Sequence, residues 1–224
     1  MPYKLSPSTL ELMEQCPRCF WLQFRKDIKR PRGIFPSLPS GMDRVLKVHF
    51  DSFMGKGKLP PELCNDECKN LKLFDNKELL KEWRNNLKGI QWKDSNGNIL
   101  KGAVDNLLQK GDKLIVLDFK TRGYPCKEDT ADYYQCQLDV YNFLLRQNGY
   151  KTEDYAYLLF YVPKEVDSKG KVVFDNDLIK MEVDVNNAEK IWKKALKLLE
   201  DDMPKPSENC EYCKRDSELL EVVK

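Results

Sequence analysis

The chain has 224 residues and 26.3 kDa, with 33% charged residues, a mean hydropathy of −0.63 and a formal net charge of +2. That length can bury one substantial core, and no apolar run approaches the roughly 18 residues of a membrane span. A near-neutral charge does not mark a nucleic-acid binder by itself; eight cysteines behind a start (MPYKLSPSTLEL) with no signal-like pattern point to a soluble, cytoplasmic protein whose thiols bind metal or stay free.

The first element is a helix begun by Ser6 before Pro7, or by Ser8 three ahead of Glu11. It is expected to continue through Leu12 and Met13 into Cys16-Pro17-Arg18-Cys19-Phe20-Trp21-Leu22. The basic residues Arg25, Lys26, Lys29, Arg30 and Arg32 then crowd one stretch, and Lys193, Lys194 and Lys197 recur on a later helix; both read first as solvated surface. Residues 31–39 form an extended loop with three prolines. Residues 41–54 look helical, with Met42, Val45, Leu46, His49 and Phe53 at helical spacing, and 55–61 break that helix. Residues 62–90 are polar and partly helical, most clearly over 78–87.

Residues 101–121, KGAVDNLLQKGDKLIVLDFKT, read as two strands around the turn Lys110-Gly111-Asp112-Lys113. In the second strand Asp118 and Lys120 share a face with Leu114 and Val116, against Ile115, Leu117 and Phe119 on the other. The hairpin brings Asp105 beside Asp118. Two carboxylates and an ammonium at one buried edge are costly without a cation or ligand, which is the pattern of a metal-dependent phosphodiesterase site. The plainer alternative is an edge ion pair next to an unrelated Asp105. Residues 129–147 form an amphipathic helix ended by Gly149, with Gln137, Tyr141 and Tyr134 on one face. A continuous apolar strand follows at 155–162, then a turn at 163–171, strands at 172–174 and 179–183, and a helix at 185–199 begun by Asn186 or Asn187. The fold class is α/β, a mixed sheet flanked by helices.

Gly102-x-x-Asp105, then Asp118-Phe119-Lys120, then Gln137-x-x-x-Tyr141 resembles the PD-(D/E)XK nuclease superfamily, in its RecB-like branch and near the CRISPR-associated adaptation nucleases. The resemblance implies a restriction-endonuclease-like core, one nuclease domain over 1–224 and a catalytic core at about 100–185. It implies that Asp105, Asp118 and the Phe119 carbonyl hold Mg²⁺ or Mn²⁺. Lys120 then orients the nucleophile and offsets transition-state charge, while Gln137 and Tyr141 touch the active site or the DNA backbone. A histidine on an early helix commonly binds the metal in this branch. His49, the single histidine, is the candidate, although it stands further after Gly41 than the usual spacing; Asp43 and Asp51 are lesser candidates. The implied activity is DNA hydrolysis, as an exonuclease on single-stranded or free-ended DNA, in repair, recombination or CRISPR spacer acquisition. A helicase or a CRISPR adaptation protein is the implied partner. The alternative is a non-catalytic nucleic-acid-binding or assembly subunit on the same scaffold.

Cys16-x-x-Cys19 and Cys210-x-x-Cys213 bracket the chain, which suggests that its two ends meet at one four-thiolate site. Zn²⁺ and iron–sulfur clusters both suit four thiolates, and spacing does not separate them. Members of the RecB-like branch, including the AddB type, hold a [4Fe–4S] cluster with such cysteines, so the resemblance favours that cofactor over Zn²⁺ as a structural clasp. Their usual arrangement is one cysteine near the start and three near the end, whereas this chain has two and two. Cys64, Cys68, Cys126 and Cys136 read as ordinary thiols.

Overall fold

A computed structural model describes residues 2–222 of the chain. Its strands are β1 (Lys4–Leu5), β2 (Lys72–Leu73), β3 (Ile90–Lys93), β4 (Ile99–Gly102), β5 (Asn106–Lys110), β6 (Lys113–Thr121), β7 (Tyr155–Val166) and β8 (Val172–Glu182). Its helices are α1 (Pro7–Gln15), α2 (Pro17–Arg25), α3 (Ser37–Met54), α4 (Lys77–Trp83), α5 (Gln135–Gln147), α6 (Val185–Glu200) and α7 (Glu211–Val222). The larger sheet has the order β2-β5-β6-β7-β8, and a smaller one has β1-β4-β3. Only β6 and β7 run parallel in the larger sheet, and α5 lies in the connection between them. A parallel pair needs such a crossover, and covering both faces explains why β6 is buried from Leu114 to Phe119. Phe50 of α3 packs on Phe119 at 4.6 Å between ring centroids, while Gln137 of α5 bonds Asp118 on the opposite face.

Several expected boundaries move, each for a local reason. The first helix is two helices, because Cys16 turns extended (φ −158°) and Pro17 restarts the chain as the first residue of α2. Helix α3 begins at Ser37 rather than 41, since Pro39 is tolerated in a first turn. Helix α4 is shorter than 78–87 and is capped by Asn76, whose side chain accepts from the Leu79 N–H. The strand expected around 101–105 is broken after Gly102. Strand β4 belongs to the small sheet and β5 to the large one, with Asp105 in the bend between them. Gly102 permits this crossing: a Cβ there would meet the Tyr141 ring at 2.7 Å.

Strands β7 and β8 form one long hairpin instead of a strand followed by two short ones, and a register shift between Pro163 and Glu165 absorbs the proline. Asp184, not Asn186 or Asn187, caps α6, accepting from the Asn186 N–H. Buried Asp139 ties α5 to α6 through the Asn187 side chain and the Asp184 N–H. The chain ends are joined by more than cysteines, since Trp21 Nε1 donates to the Asp201 carbonyl at 3.0 Å and Arg18 Nε to that of Pro204 at 3.0 Å. Among the described residues no helix is long and apolar enough to cross a membrane.

Candidate active site and thiolate cluster

The β5–β6 register sets Asn106 opposite Leu117, so the bend residue Asp105 falls beside Asp118 and Phe119. Asp105 Oδ2 accepts the Phe119 N–H at 2.9 Å, and its Oδ1 lies 3.0 Å from Lys47 Nζ. Arg84, just past α4, donates Nε to the Asp105 carbonyl at 2.7 Å and uses Nη1 to hold both oxygens of Asp51 at 2.8 and 2.9 Å. Lys47 also reaches Asp43 at 2.7 Å. Asp43, Lys47 and Asp51 are four residues apart in turn, which makes one stripe along α3 facing the Asp105 bend. Burial pulls the Lys47 ammonium down, but Asp105 and Asp43 outweigh it and hold its pKa above the ordinary lysine value.

Asp118 is sealed from solvent at the α5 side of the sheet. Gln137 Nε2 donates to its Oδ1 at 3.2 Å and to the Tyr141 hydroxyl at 2.7 Å, while Gln137 Oε1 accepts from Lys120 Nζ at 2.9 Å. Lys120 Nζ lies 2.5 Å from Asp118 Oδ2 and 4.3 Å from the centre of the Tyr134 ring. The Oδ2 contact is an ion pair without an aligned hydrogen bond, so this buried oxygen keeps unsatisfied acceptor capacity. Burial first, and the Asp105 charge second, push the Asp118 carboxyl up to about 7, with Lys120 and Lys47 opposing. Burial and Asp118 likewise raise the Tyr141 phenol well above its usual value. A cleft of about 380 Å³ opens beyond Gln137 and Tyr141, walled also by Ser6, Glu11, Lys88 and Lys101. Burial raises the Glu11 carboxyl, with Lys120 opposing.

A family model described as the PD-(D/E)XK nuclease superfamily matches residues 74–217, more than half the chain. The chain belongs to this superfamily. The matched segment of this PD-(D/E)XK protein contains Asp105, Asp118, Lys120, Gln137, Tyr141 and the second cysteine pair. It leaves out α3 and the first pair. No curated protein matches the chain by sequence.

The structure thus brings Asp105, Asp118, Lys120, Gln137 and Tyr141 of this PD-(D/E)XK chain together, and Phe119 joins them through its N–H. It does not bring His49, the expected histidine ligand. His49 Nε2 faces Glu62 at 3.0 Å, and Glu62 also accepts from the Tyr161 hydroxyl at 3.0 Å. Two positions along a helix turn a side chain by about 200°, so His49 lies off the stripe that carries Lys47. Asp43 and Asp51 do face the site, but each is held by a cation of its own. Lys47 and Arg84 were missing from the sequence reading. The four-residue repeat of Asp43, Lys47 and Asp51 was the available signal for the first, and nothing local marks the second.

At the chain ends of this PD-(D/E)XK protein the four buried cysteines Cys16, Cys19, Cys210 and Cys213 form one cluster, their sulfurs all within 4.8 Å of one another. The separations are 3.8 Å for Cys16–Cys213, 3.5 Å for Cys19–Cys210 and 3.6 Å for Cys19–Cys213. Burial raises the Cys16 thiol, but the N–H groups of Cys19 and Ser207 and the adjacent thiols outweigh it and bring it down to about 6. Burial keeps Cys19 and Cys213 up. Arg30 comes within 3.7 Å of the Cys210 sulfur and stacks over Tyr212. Four thiols this close ionise together only around a cation, and a metal fits that donor set. Cys64, Cys68, Cys126 and Cys136 form no such group among the described residues.

Proposed function

We propose that the chain is a divalent-metal-dependent deoxyribonuclease of the RecB-like type. In this reading it is one nuclease domain along its whole length, acting as an exonuclease on single-stranded or free-ended DNA. The observation that carries the reading is the closed network in which Gln137 joins Asp118, Lys120 and Tyr141 beside Asp105. The donors are hard oxygens, which suit Mg²⁺ or Mn²⁺. Asp105, Asp118 and the Phe119 carbonyl are the proposed ligands; a bound ion would polarise the phosphate and make water a better nucleophile. Lys120 offsets charge building on the phosphate oxygens. Gln137 fixes the Lys120 ammonium against Asp118, and Tyr141 fixes Gln137.

The test follows labelled linear and circular DNA, single- and double-stranded, with Mg²⁺, Mn²⁺ or EDTA. Metal-dependent loss of linear DNA alone, absent in Asp118→Asn, is the expected result. Cleavage of circles replaces the exonuclease reading with an endonuclease one. A wild type inert toward every substrate and metal, yet still binding DNA, favours the non-catalytic subunit. One observation favours that second reading, namely that every oxygen of Asp105 and Asp118 already has a cationic or N–H neighbour. The proposed helicase or CRISPR adaptation partner rests on the resemblance alone, and the proposed cytoplasmic location on reading the cysteines as metal ligands and free thiols.

For the cysteines we infer a single tetrahedral ion, Zn²⁺. Zinc–sulfur bonds of about 2.3 Å at tetrahedral angles place the sulfurs about 3.8 Å apart. Three of the six separations, at 3.5 to 3.8 Å, support that spacing, and all six fall within 4.8 Å. A [4Fe–4S] cluster, favoured by the resemblance, interposes irons and sulfides and needs the thiols much further apart. Anaerobic preparation followed by metal analysis separates the two: a colourless zinc-loaded protein is expected, and a brown iron-loaded one overturns the inference.

A further inference from the structure

We propose that Lys47 is a resident counter-cation of the metal site: it occupies the Asp105 oxygen that a divalent ion needs, and the ion enters by pushing the ammonium toward Asp43. This rests on the nuclease reading above. Of the two Asp105 oxygens, Oδ2 is committed to the Phe119 N–H, which β6 holds in place. Oδ1 is therefore the oxygen free to turn toward an ion, and Lys47 stands on it at 3.0 Å. A backbone donor cannot leave, but a lysine on a flexible stem can. Asp43, one turn earlier on α3 and 2.7 Å from the same ammonium, gives Lys47 somewhere to go. The lysine side chain is 20% exposed and that of Asp43 42%, so the retreat leads toward solvent.

Two consequences separate this from a simple structural ion pair. The unloaded site is already neutralised by Lys47 and Lys120, so it folds without metal. The ion must also compete with a positive charge next to its own ligand, so binding is weakened.

The test is calorimetric titration of Mn²⁺ into wild type, Lys47→Met and Lys47→Gln after mild EDTA treatment that empties only the carboxylate site, with folding checked by circular dichroism. Removing a unit charge within a few ångströms of the ion should tighten Mn²⁺ binding by at least about tenfold in both variants. Both should melt below wild type in EDTA and gain more from saturating Mn²⁺. Asp43→Asn, at a half-exposed position expected to fold, removes the retreat and should weaken binding severalfold. Wild type that binds Mn²⁺ while a folded Lys47→Gln binds no tighter overturns the inference alone. Wild type and all three variants failing to bind Mn²⁺ overturns the metal-site reading as well. If both Lys47 variants fail to fold, unchanged or tighter binding in Asp43→Asn overturns it.

Discussion

The carboxylate site and the thiolate cluster are two polar centres of this protein built on opposite plans. The carboxylate site gathers charges of both signs from α3, β6 and the bend before β5 and a neutral amide from α5, so Asp105 and Asp118 meet Lys47, Lys120 and Gln137. The thiolate cluster gathers four groups of one kind from the two chain ends, with Arg30 as the cation in contact. The first centre supplies its own counter-charges and can be held in place without an ion. The four thiols of the second ionise together only around one. On the proposed reading, metal dependence of folding belongs to the cysteine cluster and metal dependence of activity to the carboxylate site.

The largest expected effect breaks the thiolate side. Stripping the proposed zinc with a strong chelator, or replacing Cys16 and Cys213 together by Ser, should cost about 4 kcal/mol or more and lower the melting temperature by over ~10 °C. Mild EDTA treatment that empties only the carboxylate site should shift it by less than about 3 °C. Equal shifts in a thermal melt would erase the contrast.

On the carboxylate side, Asp118→Asn should reduce DNA cleavage at least about 10³-fold without lowering the melting temperature at pH 8. Gln137→Leu should cost about 10²-fold in kcat with little change in KM, because Gln137 positions Lys120 and Asp118 instead of gripping substrate. A purely structural Gln137 would lower stability and leave kcat per folded molecule unchanged.

A separate effect is in pH. Asp118 has a folded pKa of about 7 against an ordinary 3.8, so the native state keeps a proton that the unfolded chain releases. The metal-free protein should therefore lose stability as pH rises from about 4 to 7, with no further loss from this group outside that window. Urea midpoints measured across the range should flatten in Asp118→Asn. A wild-type profile already flat would mean that Lys120 and Lys47 hold the carboxylate ionised throughout.

Much of this centre could be read from residue order. The alternation in β6 put Asp118 and Lys120 on one face, and the helical spacing of Gln137 and Tyr141 put both over that face. The short turn at Gly111 set the register that brings position 105 to 118. The cysteine pairs announced their meeting by symmetry alone. What escaped was whatever depended on contacts distant in sequence. The break after Gly102 answers to the Tyr141 ring, nearly forty residues later. Helix α3 carries two plausible cation-handling residues two positions apart, and only its packing against β6 decides that Lys47 faces the site and His49 does not. Arg84 reaches a backbone carbonyl, which no side-chain pattern encodes. The polar run Asp175-Asn176-Asp177 hides the continuity of β8 from its sequence, whereas at a solvated sheet margin those residues stay extended.

That margin limits how the protein can associate. One border of the larger sheet is the two-residue strand β2, and the other is β8, with Asp175, Asn176, Asp177, Lys180 and Glu182 all exposed. A short border and a charged border both discourage an incoming chain from adding a strand. Strand addition to the larger sheet is therefore disfavoured, and on the proposed nuclease reading a high local concentration on DNA would crowd these molecules together without templating fibrils through that sheet.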